Sequence, residues 1–167
     1  MKLTSFAAIA TGLDRERVRY IVVGGLAVNA HGYLRFTKDI DMVVQLVPDN
    51  IRRAFSALQG LGYRPSVPIV VQQFADADTR AGWIRDKNMQ VLQFWSDAHR
   101  ETPIDVFVAE PFPFDEEYAL ALVKPLHGSV AVRFASRPTL IRMKKSVGRA
   151  QDLIDVENLE VAGNHAG

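Results

Sequence analysis

An α+β domain, built as a small mixed β-sheet with helices packed on it, is the fold class this sequence predicts. Short apolar, β-branched runs recur along the chain, separated by stretches whose apolar residues repeat at helical spacing. Glycine, proline and aspartate punctuate the joins. No internal repeat, low-complexity tract or dividing linker interrupts the 167 residues, so one domain is expected over 1–162, with a disordered tail over 163–167.

Taken in order, residues 4–17 read as a helix and the buried-type run "RYIVVG" (19–24) as a strand. A short helix over 25–32 begins at the pair Gly24 and Gly25, and "KDIDMVVQ" (38–45) forms a second strand. Asp49 is placed to cap a helix over 50–60, where Ile51, Phe55 and Leu58 recur at helical spacing; Gly60 and Gly62 end it. The segment 79–88 reads equally as a helical turn or a loop. "MQVLQFW" (89–95) and "PIDVFVAE" (103–110) read as the two strands of a hairpin joined by a polar connection that contains His99. "SVAVRFAS" (129–136) is a further strand. Ser136 and Pro138 open a helix carrying Leu140, Ile141 and Val147, and Gly148 breaks it. "AQDLIDVENLEV" is the last helix, with Leu153, Val156 and Leu159 in series as a packing face or a dimer contact, and the sequence leaves monomer and homodimer equally open.

Several function classes fall away on composition. There are no cysteines, which excludes disulfides, thiolate zinc sites and cysteine nucleophiles and fits a cytoplasmic protein. No apolar run approaches the roughly 20 residues of a membrane span. The opening segment runs into charged "DRER" where a secretory signal would need a longer apolar centre and a cleavage site. His31, His99, His127 and His165 include no pair at zinc-ligand spacing. With 20 basic and 19 acidic residues the net charge is +1, so no whole-molecule field draws the chain to nucleic acid. Locally the charge segregates: 131–151 carries Arg133, Arg137, Arg142, Lys144, Lys145 and Arg149 with no acid, and 101–117 carries six acids with no base. The basic stretch is either a solvated helix face or a phosphate-facing wall.

The chemistry centres on "DID" inside an apolar strand. Alternate strand residues share a face, so Asp39 and Asp41 point the same way, their side chains starting roughly 7 Å apart. Unpaired carboxylates in apolar surroundings are costly, and a cation between them removes the cost. Asp105 repeats the pattern in "PIDVFV". Three such carboxylates on one sheet face suit a hard divalent cation, Mg²⁺ or alternatively Mn²⁺, and two ions about 4 Å apart would clamp an in-line phosphoryl displacement. The plain alternative is a set of aspartates on a solvated sheet face. Gly24 and Gly25, at a strand–helix turn, would let backbone N–H groups face a phosphate, or would simply make a tight turn. Trp83, Phe94 and Trp95 are either core and rim aromatics or a stacking surface for a base.

"VVGGLAVNAHGYLRFTKDIDMVV" resembles the glycine-pair and Asp-x-Asp signature of the nucleotidyltransferase superfamily, with its DNA polymerase β-like fold. It looks most like the small bacterial branch that includes the AbiEii-type toxins, in which an Arg-x-Thr-x-Asp-x-Asp segment follows the glycines; Arg35, Thr37, Asp39 and Asp41 match it. The C-terminal "LIRMKKSVGRAQDLIDVENL" is similar to that branch's late motif, which makes Lys144, Arg149, Asp152 and Asp155 candidates. The turn departs from the Gly-Ser of many superfamily members, since Gly25 offers backbone only.

The resemblance implies transfer of a nucleoside monophosphate from a nucleoside triphosphate such as ATP to a hydroxyl. Asp39, Asp41 and Asp105 would hold Mg²⁺, Gly24 and Gly25 would cradle the phosphates, and Lys144 would act as counter-charge. Arg35 would bind phosphate or salt-bridge Asp39 or Asp41, Thr37 would order the turn before the strand, and Asp152 would align Lys144 or charge the start of the last helix. RNA, tRNA or a protein is the expected acceptor, in a toxin–antitoxin or phage-defence setting with an antitoxin partner. The alternatives are an aminoglycoside-like small acceptor and a catalytically inactive nucleotide-binding module.

Overall fold

The computed structural model describes residues 1–165, with side chains as far as Val161. Its seven strands are β1 Tyr20–Val23, β2 Ile40–Val44, β3 Tyr63–Pro65, β4 Val91–Ser96, β5 Ile104–Phe107, β6 Leu122–His127 and β7 Val130–Phe134. They form one sheet in the order β3-β4-β5-β2-β1-β7-β6. The sheet is mixed: β2 runs parallel to β5 and β1 parallel to β7, and the other neighbours are antiparallel. The helices are α1 Leu3–Arg15, α2 Gly24–Ala30, α3 Pro48–Gly60, α4 Val71–Ala75, α5 Ala77–Lys87, α6 Phe114–Leu120, α7 Arg137–Val147 and α8 Ala150–His165. The hairpin expected of 89–95 and 103–110 is the antiparallel pair β4 and β5.

The central strands are buried because elements cover both faces. All four residues of β1 are inaccessible, as are Ile40, Met42, Val43 and Val44 of β2, so their sequences read as nearly unbroken apolar runs. Phe6, Ile9, Ala10 and Leu13 present one face of α1 to this core. Asp41 interrupts it at mid-sheet. Its Cα partners are Val23 on one side and Asp105 on the other, and Asp105 in turn faces Gln93 on β4.

Several expectations need correction. Asp49 does not cap α3: the cap position is Val47, and Pro48, whose fixed φ suits a first helical residue, starts the helix earlier. Asp49 pairs instead with Arg52 at 3.1 Å on the surface. Ser136 stands at the cap of α7 but its side chain makes no capping bond. The buried Glu117 of α6 does that work, accepting from Ser136 N–H at 2.7 Å and from Thr139 Oγ1 at 2.5 Å. Of segment 79–88, all but Asn88, the left-handed C-cap, resolves as helix, started by Asp76, which accepts from Thr79 N–H at 2.9 Å. On α8, Val156 and Leu159 are buried in the domain and only Leu153 of that series is exposed. Of the tail expected over 163–167, residues 166–167 lie outside the described residues.

Candidate active site

A cleft of about 820 Å³ opens between the sheet and the α7–α8 hairpin. Asp39, Asp41 and Asp105 line it from the sheet side, and Thr139, Arg142, Lys144, Ser146, Arg149 and Asp152 line it from the α7–α8 hairpin. The alternation of β2 puts Asp39 and Asp41 on the same side, and the parallel register sets Asp105 beside Asp41. Gly24 follows β1 and opens α2 next to Asp41. Its φ is +68°, and a Cβ there would run into the Asp41 carboxylate, so only glycine fits the turn.

The carboxylates bear the marks of crowding. Burial, then the charges of Asp105 and Asp39, push the Asp41 pKa up to about 7. Burial and Asp39 raise Asp105 as well, against a hydrogen bond from Gln93 Nε2 at 3.3 Å. Asp39 Oδ1 is buried with no hydrogen-bond partner, a state that costs energy unless a donor or cation is to occupy it. Among the described residues, no three of His, Cys, Asp or Glu are gathered closely enough as they stand to hold one ion. Crowded acids and an orphaned buried oxygen nevertheless fit a cation-binding face.

Opposite them lies a buried ionic cluster. Lys144 Nζ sits 2.8 Å from Asp155 Oδ2 and 3.5 Å from Asp152 Oδ1. Asp155 is fully buried and also takes Arg35, whose Nε is 3.0 Å from Oδ1 and whose Nη2 donates to Oδ2 at 3.1 Å. Burial alone would raise the Asp152 carboxyl, but the Arg149 hydrogen bond and the Lys144 and Arg149 charges outweigh it and hold it below its ordinary range. Asp155 therefore joins the loop before β2 to the α7–α8 hairpin, two segments 120 residues apart in sequence.

The sequence-derived candidates divide. Asp39, Asp41, Asp105, Gly24, Lys144, Arg149 and Asp152 all line the one cleft. Gly25 is buried beneath it: a Cβ there would lie 2.8 Å from Arg35 Nη2 and 3.0 Å from Thr37 Oγ1, so its smallness admits those side chains. Arg35 salt-bridges neither Asp39 nor Asp41, because Asp155 claims it. Thr37 donates to the Asp39 carbonyl at 3.2 Å, ordering the turn into β2. Trp83, Phe94 and Trp95 are not among the cleft residues; Phe94 is core, and Arg64 lies over the Trp95 ring. Sequence reading passed over Thr139 and Ser146, and named Arg142 only as part of a basic stretch. Their i, i+3, i+7 spacing on one helix face was the available signal.

A family model described as nucleotidyltransferase of unknown function (DUF6036) matches residues 2–165. No curated protein matches the chain in sequence. Among solved structures, the lincomycin-bound lincosamide antibiotic adenylyltransferase LnuA aligns with a TM-score of 0.64 at 12% identity, over 96% of this chain and 97% of that one. The antibiotic-resistance factor ANT(2'')-Ia gives 0.58 at 16% identity, over 98% and 83%. An antigenic nucleotidyltransferase-like protein from Paracoccidioides brasiliensis gives 0.53 at 17%, over 93% and 73%. At these identities the likeness establishes the fold, a mixed sheet flanked by helices as in those proteins. Among the described residues no helix is long and apolar enough to cross a membrane.

Proposed function

The chain belongs to the DUF6036 family of nucleotidyltransferases, and from that premise we propose that it moves a nucleoside monophosphate from a nucleoside triphosphate to a hydroxyl acceptor in a metal-dependent reaction. The observation that carries this is the face of three crowded carboxylates, one with an orphaned buried oxygen, set across a cleft from Arg142, Lys144 and Arg149. A divalent cation, Mg²⁺ or Mn²⁺, bound by Asp39, Asp41 and Asp105 would neutralise phosphate charge and ease deprotonation of the acceptor hydroxyl.

The chain's own residues supply position. Gly24 keeps the approach to Asp41 clear of a side chain. Gln93 orients Asp105 through its Oδ1. Lys144, fixed by Asp155 and Asp152, presents an ammonium on the far wall as counter-charge to the triphosphate, and Arg149 extends that wall. In the reaction the acceptor oxygen forms a bond to the α-phosphorus, the bond from that phosphorus to the pyrophosphate oxygen breaks, and the hydroxyl proton is released. Catalysis of this kind is chiefly positioning and electrostatics.

A small hydroxylated molecule is the favoured acceptor. The cleft of about 820 Å³ falls in the range of small-molecule sites. The lincosamide antibiotic adenylyltransferase LnuA and the antibiotic-resistance factor ANT(2'')-Ia, the latter also solved in complex with adenylyl-2''-tobramycin, are spanned by this chain over most of their length. Transfer to RNA, tRNA or a protein hydroxyl, with an antitoxin partner in the AbiEii manner, is the second reading. The exposed Arg142, Lys145 and Arg149 favour it. Incubation with each α-labelled triphosphate and Mg²⁺ or Mn²⁺, against separate panels of aminoglycosides, lincosamides, tRNA and protein, tests both. Label on a small acceptor, lost in Asp39→Ala/Asp41→Ala, supports the first; label on tRNA or protein replaces it with the second; no label on any acceptor contradicts both.

A further inference from the structure

We propose that Arg142 is a phosphate-binding residue of the cleft, held in position by a hydrogen-bonded chain that starts at the buried Glu117; this rests on the nucleotidyl-transfer reading and adds a residue to it. Three cations line the cleft, Arg142, Lys144 and Arg149, and two of them are already committed. Lys144 is shared by Asp152 and Asp155, and Arg149 Nε lies 2.9 Å from Asp152 Oδ2. Among the described residues no carboxylate lies within ion-pair distance of Arg142, so its charge is the uncompensated one on the wall facing Asp39, Asp41 and Asp105.

Its orientation is fixed. Arg142 Nη2 donates to Thr139 Oγ1 at 2.9 Å, and that hydroxyl donates onward to Glu117 Oε2 at 2.5 Å. Glu117 Oε1 accepts the Ser136 N–H at 2.7 Å, which closes the chain on the start of α7. Thr139 and Glu117 are 2% and 4% exposed, so the anchor is core structure even though the guanidinium itself is exposed. A free surface arginine loses rotamer entropy when it captures a ligand; one edge of this fork is fixed beforehand, leaving its remaining N–H donors for the cleft. Thr139, Arg142 and Ser146 follow one another at i, i+3 and i+7 on α7, Arg149 follows in the turn after it, and all four line the cleft. A planar guanidinium with donors to spare matches a phosphate better than a carboxylate-bound ammonium does. That phosphate belongs either to the triphosphate tail or to a phosphate-bearing acceptor.

The full chain is titrated, with Mg²⁺, against α,β-methylene ATP, AMP, pyrophosphate and a single-stranded RNA oligonucleotide, using wild type, Arg142→Ala, Arg142→Lys and Thr139→Val. Melting temperatures confirm that each variant is folded. Arg142→Ala should weaken binding of a phosphate ligand by about tenfold or more, Arg142→Lys should recover only part of it, and Thr139→Val should show a smaller loss with the charge intact. Loss on the triphosphate analogue but not on AMP assigns the residue to the β,γ-phosphates; loss on RNA alone assigns it to an acceptor phosphate. Arg142→Ala binding all four ligands as wild type does would overturn the proposal. Wild type that binds the analogue through Arg142 but transfers nothing would sink the catalytic reading and leave this one standing. Wild type that binds none of the four would refute both.

Discussion

Raising the pH of the metal-free protein should destabilise it, and a divalent cation should restore it. Asp41 binds its proton more tightly folded than unfolded, because burial and the neighbouring Asp105 and Asp39 lift its pKa from 3.8 to about 7. A carboxyl raised in this way contributes stability that is complete below pH 4 and is lost as the pH passes through about 7. At about 1.4 kcal/mol per unit, that gap corresponds to about 4 kcal/mol. Asp41 opens on the cleft, so solvent screens part of it; the share lost between pH 5 and about 7 comes to about 1–2.5 kcal/mol, or roughly 2–10 °C of melting temperature for a chain of this length. Thermal unfolding by circular dichroism, in EDTA and in Mg²⁺ or Mn²⁺ at pH 5 and pH 8.5, reads the effect, and the difference between wild type and Asp41→Asn isolates this carboxyl from other titrating groups. Asp41→Asn should exceed wild type modestly at pH 5, where part of the contribution is already lost, exceed it by more at pH 8.5 without metal, and gain less from metal. Equal melting temperatures for wild type at pH 8.5 with and without both cations would refute the reasoning, as would a variant less stable than wild type at pH 8.5 in EDTA.

Three further outcomes are expected. Gly24→Ala should cost about 1–3 kcal/mol in urea unfolding and abolish metal-dependent nucleotide binding, because a side chain at φ +68° meets the Asp41 carboxylate. Asp155→Ala should cost about 3–5 kcal/mol, since it leaves Lys144 and Arg35 without the carboxylate they share; full stability in urea would show that this cluster is not structural. Leu159→Ala should cost about 2–4 kcal/mol with no change in oligomeric state by light scattering, because this side chain is buried within the domain.

Legibility in the sequence followed burial. β1 and β2 were readable because nearly all their residues are buried, and β5 because its half-covered face still carries apolar residues; a carboxylate inside such a run is conspicuous. Asp41 and Asp105 could therefore be paired before their register was known. β6 escaped notice: at the sheet edge its residues are half-buried or exposed, and it tolerates Pro125, so no alternation marks it. β3 is only three residues long. The late-motif residues were recognisable as a set, but their partners were not. Arg35 finds Asp155 across 120 residues, and Arg142 is set by Glu117, an acid indistinguishable in sequence from its exposed neighbours Asp115 and Glu116. Long-range ionic partners carry no local pattern, and geometry alone reveals them.

The measurement that bears most directly on the central claim compares triphosphate labelled at the α- and γ-phosphorus, each incubated with the protein, Mg²⁺ or Mn²⁺ and the acceptor panel. Nucleotidyl transfer predicts that α-label moves to the acceptor while γ-label leaves as pyrophosphate, and that both signals disappear in Asp39→Ala/Asp41→Ala. Movement of γ-label to an acceptor, its release as orthophosphate, or transfer that survives removal of both aspartates would contradict the account.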